Sequence, residues 1–122
     1  MEHDFLEGIR LFNAQRYFEA HEALETVWLR ATGDRKTFLQ GLIQVAAAFH
    51  HHMRHNPAGF RSLLEKGCTK LATLGAEFES VELTGLMLQL QLWQEYVRLS
   101  PLSSPPAPPL PHIKLKGEPE RG

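Results

Sequence analysis

Apolar residues recur at spacings of three and four through most of the first hundred positions, the signature of helices with one buried face. Residues 4–12 carry Phe5, Leu6, Ile9, Leu11 and Phe12, with Ile9 and Phe12 near one face. From Arg16 the stripe is Tyr17, Ala20, Leu24, Trp28 and Ala31. Thr32-Gly33-Asp34 reads as a stop and a start, with glycine capping one helix and Asp34 the next. A third stripe of Leu39, Leu42, Ile43, Ala46, His50 and Met53 runs from Arg35 to about His55. Asn56-Pro57 ends it, because a residue before proline is pushed out of the helical region. A fourth helix is expected from Pro57 to about Leu74 on Phe60, Leu63, Leu64 and Leu71, and Gly75 stops it. The fifth, roughly Leu83 to Leu99, repeats Leu86, Leu90, Trp93 and Val97. No segment alternates with period two.

Short loops between long helices make sequential neighbours antiparallel. The expected fold is therefore all-α, a compact antiparallel bundle of about five helices. Gly41, Ala46, Ala47 and Ala48 make the third helix slim, so a neighbour can approach it closely and it should be central. Cys68 stands four residues after Leu64 and three before Leu71, and reads as a small buried hydrophobe.

The pattern breaks after residue 100. Seven of the 8 prolines fall in 101–122, and such a run cannot form a hydrogen-bonded ladder; it prefers extended polyproline II. We expect a helical domain over 1–100 and a flexible proline-rich tail over 101–122. Pro105-x-x-Pro108 and Pro108-x-x-Pro111, followed by Lys114, have the spacing that polyproline-reading domains accept.

Composition narrows the class. A chain of 122 residues with 43% hydrophobic content supports one modest core. A formal charge of −1 argues against a nucleic-acid partner, which needs a clustered basic surface. With one cysteine there is no internal disulfide and no multi-thiolate zinc site. No apolar run approaches the roughly 20 residues of a membrane span, and the first residues lack the pattern of a signal peptide. A soluble, cytoplasmic protein is expected.

Two motifs bring a family into view. Phe12-Asn13-x-x-Arg16-Tyr17-Phe18-Glu19-Ala20-His21-Glu22-x-Leu24-Glu25-x-x-Trp28 is followed by Phe38-Leu39-Gln40-Gly41-Leu42-Ile43-Gln44-x-Ala46-Ala47-Ala48-x-His50. Both resemble the signature of family 309 of the domains of unknown function, small bacterial and archaeal proteins, over roughly residues 4–75. The resemblance implies a compact helical bundle. It brings no established reaction, although a metal-dependent hydrolase is an activity suggested for such proteins.

The residues that carry chemistry lie on one seam. His21 and Glu25 are four apart and share a helix face beside the apolar stripe. If the chain turns near Gly33, residues whose numbers sum to about 66 lie level across the second and third helices. Gln40 and Gln44 then fall within a turn of His21 and Glu25, and His50 lies roughly 7 Å further along at 1.5 Å per residue. Polar groups on a core seam need partners, at about 1–3 kcal/mol each if left without. Three arrangements meet that need: a structural network, a divalent-metal site with His21, Glu25 and His50 as ligands for zinc, manganese or iron, or a pocket for a small polar ligand. Glu22 is a solvated residue or a base beside the seam. His51 and His55, four apart, are a separate surface pair.

A second class competes with these. Residues 11–30 have the look of a helix-hairpin repeat, and a non-enzymatic interaction or homodimerisation module would show apolar residues off the main stripes. Leu29 and Phe49 are the candidates for such a dimer face.

Overall fold

The computed structural model describes residues 3–117. Five helices follow one another: α1 (His3–Asn13), α2 (Tyr17–Trp28), α3 (Gly33–Met53), α4 (Pro57–Leu71) and α5 (Leu83–Leu99). All five fall where the apolar spacing places them. A two-strand hairpin that the spacing does not announce, β1 (Glu77–Phe78) and β2 (Val81–Glu82), joins α4 to α5. Its strands are two residues long, too short for any alternation to register. Glu79 and Ser80 at its tip both have positive φ, 45° and 68°, as a tight two-residue hairpin requires.

The start of α4 obeys local chemistry most clearly. The Asn56 side chain accepts the Gly59 N–H and Pro57 sits in the first turn, so α4 starts where the sequence places it. At the start of α3, however, Thr32 takes the N-cap position in extended conformation. Gly33, with φ of +60°, is the first residue of α3 and Asp34 lies within its first turn. Asp34 thus favours the helix dipole rather than capping it.

Helix α3 is central, flanked by α2 and α4. Its approach to α4 is made by two glycines. A Cβ on Gly67 would stand 2.8 Å from Val45 Cγ2 and 2.9 Å from the Gly41 carbonyl oxygen; one on Gly41 would stand 2.8 Å from Leu71 Cδ2. The α2–α3 register is the expected one, with the Tyr17 and Phe49 rings 5.6 Å apart and Lys36 4.5 Å over the Trp28 ring. The core is aromatic at both ends. Phe5, Phe38 and Phe78 cluster at one, while Phe49, Phe60 and Trp93 meet edge-on at the other, with centroids 5.1–5.7 Å apart. Phe49 is fully buried here, so it cannot serve a dimer face; Leu29 is 68% exposed. Trp28 sits only half-buried at the rim, and Trp93 is the buried indole.

Beyond α5 the described residues form neither a helix nor a strand of the hairpin, as their prolines dictate. It is nonetheless not a free tail. Pro111 and Ile113 are buried, Leu110 and Leu115 pack on the core, and Leu115 bridges Val81 of the hairpin. The flexible segment expected over 101–122 is therefore, across its described residues 109–115, an extended strap on the body. Composition missed this because Ile113 and Leu115 are too few to register as a stripe, and their partners lie far away in sequence. Residues 118–122 fall outside the described part.

Candidate functional site

The seam residues divide between two faces. Helix α2 places His21 and Glu25 one turn apart, and His21 Nε2 lies 3.3 Å from Glu25 Oε2. Both are reached by water: the His21 side chain is 29% exposed and Glu25 52%. His21 Nδ1 is buried with no partner among the described residues, as are Tyr17 Oη and Trp28 Nε1 on the same helix. Burial pushes the Tyr17 phenol up to about 12, which keeps it neutral. His50 joins His21 through a ring: Phe18 lies 6.0 Å from the His21 imidazole and 5.3 Å from that of His50. Burial holds the His50 pKa below its ordinary value, and the charges of Arg54, His51 and His21 act in the same direction.

The glutamines do not complete this group. Gln44 turns to α4, where its Oε1 accepts from Lys70 Nζ at 2.9 Å. Gln40 is half-buried and Glu22 exposed. Among the described residues no three His, Cys, Asp or Glu side chains stand where one ion could be held by all of them. Of the surface pair, the His51 ring is hydrogen-bonded to the Asn56 amide at 2.9 Å, and His55 lies past the end of α3 with φ of 57°. Cys68 is buried, and burial pushes its thiol up to about 11, which fits an inert packing residue.

A concavity opens elsewhere, where the end of α3, the start of α4 and the end of α5 diverge. It has a volume of about 790 Å³ and includes His52, Phe60, Arg61, Glu65, Tyr96 and Val97 in its lining. Phe60 is 3% exposed and forms the floor. The His52 ring lies tilted against it at 5.0 Å and edge-on to Trp93 at 4.8 Å, and Tyr96 meets Trp93 at 5.5 Å. Arg61 is exposed at the rim, and its guanidinium donates to the Val97 carbonyl at 3.4 Å. Burial, with the nearby His55 charge, lowers the His52 pKa, so the imidazole favours its neutral form. A second hollow of about 410 Å³ continues along α4 and α5 past Leu64, Gln94 and Arg98. Sequence spacing did not gather these residues, because they come from three helix ends. The aromatic pair Trp93 and Tyr96, three apart on α5, was the available signal.

Comparison with known proteins agrees with the sequence motifs. Residues 5–63 match the family described as "Domain of unknown function (DUF309)". The chain is also similar to the "Uncharacterized protein YpuF" of Bacillus subtilis (strain 168), at 42% identity over 77 residues. That alignment covers 62% of this chain and 42% of the relative's length. No helix among the described residues is long and apolar enough to cross a membrane.

Proposed function

Because residues 5–63 carry the DUF309 domain, whose function is unassigned, the reading rests on geometry, and we propose that this chain is a non-enzymatic binding module. Its site is the concavity between the ends of α3 and α5 and the start of α4. The observation that carries this is the cavity of about 790 Å³ itself, floored by Phe60 with the His52 ring tilted against it. Small-molecule sites span about 300–1,000 Å³ and combine an apolar floor with a few polar rim groups. Here Arg61, Glu65 and Tyr96 supply the rim. In this reading the His21–Glu25 pair is structural and solvated.

Amide-shift mapping with a library of small aromatic compounds tests the proposal. The expected shifts cluster at residues 52–65 and 96–101, and Tyr96→Ala should abolish them. Binding mapped to residues 18–25 and 50, or zinc-induced stabilisation lost in His21→Ala, would replace this reading with a divalent-metal site at His21, Glu25 and His50.

A further inference from the structure

The strap beyond α5 is held largely through its backbone, by side chains of α1 and α5. The Asn13 carboxamide, at the end of α1, pairs with both backbone groups of Ile113: its Nδ2 donates to the carbonyl at 2.9 Å and its Oδ1 accepts the N–H at 2.8 Å. Gln89 on α5 does the same for His112, at 2.9 Å and 2.8 Å. One turn on, the Trp93 indole N–H donates to the Pro109 carbonyl at 2.9 Å. The end of the strap then adds to the hairpin, where the Glu82 N–H donates to the Lys114 carbonyl at 3.0 Å and Leu115 bridges Val81.

The side chains follow the same logic. Pro105, Pro108 and Pro111 are each less exposed than Pro106 and Pro109 between them. A period of three is that of polyproline II, which turns every third residue to one face. From Pro111 the period becomes two, with Pro111 and Ile113 buried and His112 exposed. Backbone pairing for affinity with pockets for periodic side chains is how extended peptides are read.

We propose that this cleft between α1, α5 and the hairpin is a peptide-reading site. Its ligand is an extended segment of another polypeptide with the pattern Pro-x-x-Pro-x-Ile-x-Leu. Residues 108–115 of this chain, which have that pattern, occupy it in cis as a displaceable competitor. Five side-chain bonds go to backbone atoms, so they do not depend on which chain supplies them. Proline-rich segments are already extended and lose little freedom on binding. The connection back to α5 is solvent-exposed, with Leu102 84% exposed. A tether this short sets an effective concentration on the order of millimolar, so a trans ligand binds weakly until the strap is loosened. This surface and the cavity at the α3–α4 corner meet at Trp93, whose ring contacts His52 and Phe60 while its indole N–H holds the strap.

The test uses the full chain and a fluorescent peptide with the sequence of residues 105–117. Ile113→Asp weakens the strap but leaves the cleft intact, and should bind the peptide at least tenfold more tightly than the unaltered chain. Adding Asn13→Ala to that variant should remove the gain, with helical content unchanged. A folded Ile113→Asp protein that does not take up the peptide would overturn the proposal. If that variant does not fold, a protease site introduced at residues 102–104 allows the folded chain to be cut. Exchange of the released segment for labelled peptide during gel filtration then supports the proposal. A cut segment that stays bound and resists exchange overturns it, making the strap a fixed part of the fold.

Discussion

Where α3 crosses α4, stability hangs on the absence of a single carbon. Gly67 faces the Gly41 carbonyl and Val45, and backbone cannot swing aside as a flexible side chain can. Gly67→Ala should therefore destabilise by about 1–3 kcal/mol, although alanine is the better helix former, because overpacking outweighs propensity here. Chemical denaturation measures it directly. Glu25→Ala sits at the other extreme. Its pairing with His21 is open to water, so the expected loss is below about 1 kcal/mol, and a larger loss would reveal a tie beyond a surface ion pair. Cys68 offers a third check at this scale. Buried and with its thiol pushed up to about 11, it should react with a thiol reagent at pH 8 only after denaturant is added.

Elements show how far an isolated signal reaches. The apolar stripes of the five helices are periodic over three or more turns, so each could be placed from its own residues. The strap holds only a few apolar residues, and their burial depends on Asn13, Gln89 and Trp93. Composition alone would put the cost of removing 101–122 within about 1 kcal/mol. With Ile113 fully buried, Ile113→Ala should instead cost about 2–5 kcal/mol, and removal of the strap more than that. Thermal melts of the two variants beside the intact chain decide between these expectations. Trp28→Ala illustrates the opposite revision. A tryptophan on the seam reads as core, yet it lies at the rim under Lys36, so its loss should cost less than that of Trp93.

At the scale of the whole molecule, acid sensitivity should come from His50 and His52. Both have pKa values lowered in the fold, mainly by burial. In the window just under the ordinary histidine value of about 6.5, the unfolded chain therefore binds more protons than the folded one. Stability present above that value is lost as pH falls through it. The melting temperature should drop between pH 7.5 and pH 5.5, and the slope should flatten in a His50→Gln, His52→Gln double variant. Glu7 and Glu95, lowered by hydrogen bonds from Arg10 and Arg98, are both reached by water and act only in the more acidic carboxylate range.

Much of this architecture is local. Periodic apolar residues, Asn56-Pro57 and the small residues of α3 determine five helices, their antiparallel order and the close α3–α4 approach, since each needs only neighbouring residues in one chain segment. The α2–α3 register followed too, because a short turn leaves little freedom. Side-chain direction did not follow. Gln44 and His21 are a turn apart by number, yet Gln44 faces Lys70 on α4 while the half-buried His21 pairs with Glu25 on its own helix. That is set by which third helix packs alongside. The cavity at the α3–α4 corner is also a tertiary product, since helix ends far apart in sequence form it. The docking of Ile113 on Asn13 joins residues 100 positions apart, and no local period can encode such a pairing.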